Sequence, residues 1–248
     1  MTQINMTQMK VYEFVVILGA TGGIGAGMAR GLLNRTQTLY LLGRSLEKLR
    51  DLQQSLTEAI STETEIVVQS MDLEDDALSI QQTIASLELH KGIGIIVNCA
   101  GTYVSQAFSQ SSPQEINRHF LINIISPMQI VAELIGTLER GSLIINIGSS
   151  LSCQPRANRV LTSSVKHAVR GFSLSLSEEL AEQGVRVCLI NPRSVATPLL
   201  LRNTSPEKYQ QGMPVEDLVR AVIMIADSDP KTLFSELDVG ALQGFLGR

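Results

Sequence analysis

The chain has 248 residues, of which 18% are charged and 44% hydrophobic, and a formal net charge of −4. That length suits one α/β domain with a single core, and the apolar content excludes an intrinsically disordered chain. The negative balance, without any cluster of Lys or Arg, excludes a surface that tracks phosphates, so no nucleic-acid partner is expected.

Met1–Lys10 is polar, without the apolar core of a signal peptide, so 1–10 reads as a mobile arm and 11–248 as one domain. No run reaches the length needed to cross a bilayer, and no membrane partner is expected. From there short β-branched runs alternate with longer stretches of helical period. Strands are predicted near Val11–Leu18, Thr38–Leu42, Glu65–Gln69, Ile93–Val97, Leu143–Ile147, Val185–Leu189 and Ser235–Val239. Helices are predicted at about Gly23–Asn34, Leu46–Ile60, Ala77–Leu89, Pro113–Leu138, Thr162–Gln183 and Val215–Ala226. Ser112 followed by Pro113 marks one helix start, with Glu115 in the first turn to favour its dipole. Gly141 and Gly184 punctuate helix-to-strand crossings, and Asn191–Met213 reads as one irregular flap over a site. Several strands are apolar throughout, as expected where helices cover both faces of a parallel sheet.

Cys99, Cys153 and Cys188 stand apart, with no second thiol at metal-ligand spacing, so no metal site is expected and a reducing cytoplasm fits best.

After the first strand the glycines fall as Gly19, Gly23 and Gly25, with Gly22 between them. A turn this tight needs residues without a Cβ, both for its backbone angles and to bring main-chain N–H groups to a diphosphate at a helix N-terminus. These observations predict a single-domain Rossmann fold: a doubly wound parallel sheet of about seven strands with helices on both faces.

Leu18-Gly19-Ala20-Thr21-Gly22-Gly23-Ile24-Gly25 resembles the T-G-x-x-x-G-I-G pattern of the short-chain dehydrogenase/reductase family, with Leu18 in place of the leading Thr. Asn98-Cys99-Ala100-Gly101 is similar to the family's N-N-A-G, and Asp72-Leu73 to its segment beside the adenine. Asn191-Pro192-Arg193-Ser194-Val195-Ala196-Thr197-Pro198 resembles P-G-x-x-x-T, with Arg193 where the family has glycine. That departure either alters the geometry near the nicotinamide or adds a cation near the phosphates. The resemblance implies a dinucleotide held by Gly19, Thr21, Gly22, Gly23, Ile24 and Gly25, then by Asp72, Leu73, Asn98, Ala100 and Gly101. Pro192, Val195 and Thr197 would border the nicotinamide carboxamide, and Lys166 its ribose.

The residue after the second strand discriminates between cofactors, since an acid there bonds a ribose 2′-OH and an arginine grips a 2′-phosphate. Gly43-Arg44-Ser45 offers Arg44 and no acid, so NADP(H) is expected over NAD(H).

The family reduces a carbonyl, or oxidises an alcohol, with Asn, Ser and Tyr-x-x-x-Lys. Asn123, Ser149 and Lys166 match three of these; four residues before Lys166 stands Thr162, thirteen after Ser149 as the family spacing requires. Thr162 is therefore the catalytic candidate in place of the tyrosine, although an aliphatic hydroxyl is a far weaker acid than a phenol. Lys166 acting through water is the strongest substitute donor, ahead of Tyr103, His167 and Cys153. The implied function is an NADP(H)-dependent oxidoreductase with a small alcohol or carbonyl substrate. The alternative is a catalytically impaired dinucleotide-binding protein with a regulatory or assembly role. Leu199-Leu200-Leu201 supplies an apolar wall for a hydrophobic substrate, or packs the flap. By resemblance, a homodimer or homotetramer forms through the two long helices.

Overall fold

A computed structural model describes residues 10–60, 63–87, 89 and 92–242; apart from Lys10, the expected N-terminal arm lies outside the described residues. Among these the chain runs β1 (Tyr12–Leu18), α1 (Gly23–Leu32), β2 (Thr36–Gly43), α2 (Leu46–Ala59), β3 (Glu65–Ser70), α3 (Ala77–Ala85) and β4 (Ile93–Asn98). It continues through α4 (Pro113–Phe120), α5 (Ser126–Leu134), β5 (Leu138–Ile147), α6 (Val160–Leu180), β6 (Arg186–Pro192), α7 (Pro198–Asn203), α8 (Pro206–Gln210), α9 (Val215–Asp227) and β7 (Glu236–Val239). The strands pair in parallel in the order β3-β2-β1-β4-β5-β6-β7. This is the expected doubly wound α/β sheet.

The continuous apolar runs have their cause in two cores. On one face Val15 and Ile17 of β1 pack with Met28 and Leu32 of α1, Leu49 of α2 and Val222 of α9. On the other, Val16 and Leu18 pack with Ile80 of α3, Ile130 of α5 and Leu180 of α6. Successive residues of one strand point to opposite faces, so burying all of them requires helices on both. Gly27 and Gly31 bring α1 against α9, because a Cβ on either would collide with Val215 or Val219.

Several expectations are corrected. The helix predicted at 113–138 is α4 and α5 joined by a π turn at Leu121–Ile125. The run Pro113–Thr137 is also long and apolar enough to cross a membrane by length and composition, which corrects the expectation that no segment is. Much of its apolarity is spent inside the fold, where Ile130, Val131 and Leu134 are buried. β5 starts at Leu138, because Gly141 (φ +95°) sits within it and lets the β4–β5 register jump from Ile93↔Leu138 to Ile95↔Leu143. Finally, 191–213 is not irregular: α7 and α8 form there, each with proline in its first turn and a hydroxyl cap, Thr197 and Ser205. The ends of that flap are tied by Met213 N–H to Ser194 C=O and Ala196 N–H to Met213 C=O, both 2.8 Å.

Candidate active site

The C-terminal ends of β1, β2, β3 and β4 open onto a cleft of about 290 Å³. Ligands of open parallel sheets bind at this end, where the strand order reverses, here between β1 and β4. Of the residues expected at a dinucleotide, Gly19, Thr21 and Gly22 line it from the first turn, Arg44 from just after β2, Asp72 and Leu73 from after β3, and Ala100 and Gly101 from after β4.

The glycines of the turn do separate jobs. Gly19 adopts φ +76°, and a Cβ there would lie 2.7 Å from Ala100 Cα. A Cβ on Gly25 would collide with the Gly19 carbonyl, and one on Gly23 would come 2.8 Å from the Thr197 side chain. These three glycines are thus demanded by the protein's own packing, and Gly22, the residue before α1, faces the cleft with Gly19 and Thr21. The first turn of α1 has no acidic residue, so its free N–H groups present unopposed positive potential. That cradle fits a dinucleotide diphosphate.

Ile24 instead packs toward the core, and Asn98 is buried under the cleft with no hydrogen-bond partner for its Oδ1. Pro192 ends β6, and Val195 forms a bridge with Met213. Thr197 caps α7 beside Gly23. Arg193 is buried against Gly240, with its guanidinium 3.4 Å from Gln154 Oε1, and does not line the cleft.

Behind Gly101 stand Asn123 Oδ1 and Lys166 Nζ. Lys166 Nζ donates to the Ile147 carbonyl at 2.8 Å. Burial lowers its pKa to about 8, opposed in part by the nearby Cys99 thiol. Ser149 N–H is held by Asn191 Oδ1 at 3.2 Å and by Ser152 Oγ at 3.1 Å, and its own Oγ accepts from Leu151 N–H. Asn191 in turn donates to Glu236, which Arg170 grips through Nε and Nη2.

Asn123 lies in the π turn and is fully engaged: Oδ1 accepts from Thr102 N–H at 3.1 Å, while Nδ2 donates to Thr102 Oγ1 at 2.9 Å and to the His119 carbonyl at 2.8 Å. Thr162 is buried, accepts from Val104 N–H at 3.0 Å and donates to Val104 C=O at 2.9 Å. Its one proton is therefore committed to a loop carbonyl.

Sequence reasoning missed His119, which joins the two. Its Nδ1 lies 2.8 Å from Thr102 Oγ1 and its Nε2 lies 3.5 Å from Thr162 Oγ1. With Thr162 donating to Val104, the pattern closes if Thr102 donates to Nδ1 and Nε2 carries the imidazole hydrogen. Burial and then the charge of Lys166 lower the His119 pKa to about 4, which keeps the ring neutral. The available signal was spacing: His119 is one helical turn before Asn123. Of the other donor candidates, Tyr103 lies under the Arg159 guanidinium at 5.3 Å. His167 is tied to Ser163 C=O and Cys153 to Glu236.

The family profile described as short chain dehydrogenase matches residues 13–208. A very-long-chain 3-oxoacyl-CoA reductase of Rattus norvegicus is 30% identical over 217 residues, 85% of this chain and 68% of the relative. A dehydrogenase/reductase structure from Sinorhizobium meliloti superposes with a TM-score of 0.84 at 23% identity, covering 96% of this chain and 98% of that one. A serine dehydrogenase in its closed form with NADP+ gives 0.81 at 25% identity, covering 93% and 95%. The seven-stranded parallel sheet agrees with these matches, and the chain belongs to the short-chain dehydrogenase/reductase family of oxidoreductases.

Proposed function

We propose that this protein is an NADP(H)-dependent oxidoreductase that interconverts a small carbonyl compound and its alcohol. The observation that carries the reading is Lys166, anchored on the Ile147 carbonyl two residues before Ser149, with its Nζ behind Gly101 in the wall of a cleft whose other rim carries Arg44 and Lys48.

Arg44 and Lys48 both line that rim, and Leu42, Gly43 and Arg44 include no acid that would bond a ribose 2′-OH. The similar serine dehydrogenase is complexed with NADP+, which supports the same preference. Gly19, Thr21 and Gly22 would hold the diphosphate, and Asp72, Leu73, Ala100 and Gly101 the adenosine side and the base of the cleft. Bound there, the dinucleotide supplies or accepts the hydride.

The chain supplies the rest. Ser149 Oγ hydrogen-bonds the substrate oxygen, its backbone fixed by Asn191. Lys166, an ammonium at neutral pH, delivers the proton to that oxygen through water, so a carbonyl gains one hydride and one proton. An acid whose pKa lies near the working pH is well matched to this task. Thr162 and Asn123 act as positioning residues, because both already spend their polar atoms on the segment Thr102–Val104. The exposed Leu199 and Leu201 of α7 favour a substrate with an apolar portion. Exposed Ile125 in the π turn, Met128 on α5 and Val160 at the start of α6 favour pairing with a second copy of the chain, and three unpaired cysteines suit a reducing cytoplasm.

The test is NADPH oxidation against a panel of ketones, aldehydes and quinones, with NADPH binding followed separately by fluorescence. Wild type is expected to turn over at least one class, and Lys166→Met and Ser149→Ala to lose it by about 10²-fold or more while binding NADPH. Tight NADPH binding with no turnover across the panel would establish the dinucleotide-binding, non-catalytic alternative instead.

A further inference from the structure

Glu74 stands between two cations at the adenosine end of the cleft. Its carboxylate takes both arms of the Arg118 fork, Oε2 from Nε at 2.8 Å and Oε1 from Nη2 at 2.7 Å. Arg44 Nη1 lies 3.7 Å from Oε1, an ion pair longer than a hydrogen bond, and the Arg44 side chain is 67% exposed. The three residues come from separate segments: Arg44 from just after β2, Glu74 from the turn after β3, and Arg118 from α4. Glu74 is fixed on its turn by its N–H to Asp72 Oδ1 at 3.1 Å, and the Arg118 hydrogen bonds hold its carboxyl below the usual carboxylate range.

We propose that Glu74 is a specificity-determining residue: Arg118 takes both of its carboxylate oxygens, so Arg44 keeps only a longer ion pair with it and stays open to a 2′-phosphate that a Glu74 turned fully onto Arg44 would displace. The inference rests on the dinucleotide reading of the cleft. A planar bidentate pair outcompetes a monodentate contact for the same carboxylate, so Arg118 takes Glu74 first and Arg44 keeps its freedom to turn. Glu74 remains a like charge near the phosphate, and its repulsion across a solvated rim amounts to about a few-fold in affinity. The residue thus limits the NADPH preference that Arg44 creates.

The experiment is fluorescence titration of NADPH and NADH with the full chain, which needs no knowledge of the substrate. Glu74→Gln keeps the shape and removes the charge; it is expected to tighten NADPH by about 3- to 10-fold and to leave NADH within about twofold, an effect that shrinks as salt rises from roughly 0.05 to 0.5 M. Arg118→Met releases Glu74 onto Arg44 and is expected to weaken NADPH by a similar factor in wild type, but by less than about twofold in the Glu74→Gln background. An unchanged NADPH-to-NADH ratio in Glu74→Gln overturns the proposal, and an equal Arg118→Met effect in both backgrounds assigns Arg118 to the dinucleotide directly and also overturns it. Failure of wild type to bind either dinucleotide is a different result and overturns the underlying reading of the cleft.

Discussion

Thr162 holds Val104 by both of its backbone groups, accepting from the N–H at 3.0 Å and donating to the C=O at 2.9 Å. A phenol at this position would have its acidic proton free for a substrate, whereas this threonine closes a two-bond clamp on the loop after β4. Thr162→Val keeps the shape and removes both hydrogen bonds to the half-buried Val104 backbone, so chemical denaturation is expected to register a loss of about 1–3 kcal/mol, with Thr162→Ser close to wild type. If Thr162→Val instead abolishes turnover with stability unchanged, the hydroxyl is the proton donor after all.

Lys166 gives the reaction a pH signature. Its ammonium form is the acid, so kcat/KM for carbonyl reduction should fall as pH rises through about 8, and a flat profile to pH 9.5 would remove Lys166 from that role. The same shift has a stability sign. Below about 8 the charged group is buried at full cost; between 8 and the unfolded value of 10.5 the folded state sheds its proton first, and stability rises with pH. Lys166→Met should therefore stabilise the protein at pH 7, by on the order of 2 kcal/mol, and flatten this part of the profile.

His119 titrates in the opposite part of the range. Its folded pKa of about 4 lies below the unfolded 6.5, so the unfolded chain binds more protons between these values. Stability is expected to fall by up to about 3 kcal/mol as pH drops from 6.5 to 4. His119→Gln should remove much of that slope in denaturation curves collected across the window.

The contact between α1 and α9 offers a packing test. Gly31→Ala places a methyl where Val219 Cγ1 already lies, and should cost about 1–3 kcal/mol; Val219→Ala in the same chain should recover part of it, since the space is then vacated. Non-recovery would mean that helix propensity or another contact dominates.

The sheet was legible because its signal is redundant: the β-branched runs of the central strands β1, β4, β5 and β6 are buried on both faces, and the close approaches at Gly19, Gly23 and Gly25 leave no room for a Cβ. Thr197-Pro198 and Ser205-Pro206 carry the same cap-and-proline signal as Ser112-Pro113, but hydroxyls, Pro and Asn are equally the vocabulary of loops, so the signal does not separate short helices from irregular chain. At the site, the motif positions Asn123, Ser149 and Lys166 could be aligned from spacing, but the partners of a hydroxyl cannot. The commitment of Thr162 to Val104 depends on a loop 58 residues away. Glu74 and Arg118 are 44 residues apart and meet only because the turn after β3 and α4 border the same cleft.

The strand order also governs how the chain can assemble. β1 is made first and lies between β2 and β4, so its inner edge has no partner until residues 93–98 have been synthesised. Until then a strand of seven residues, Tyr12–Leu18, has one flank unpaired and apolar side chains on both faces. The nascent half-domain is thus most exposed to aggregation between about residues 43 and 98, an interval that ends when β4 docks beside the glycine turn and Gly19 receives Ala100.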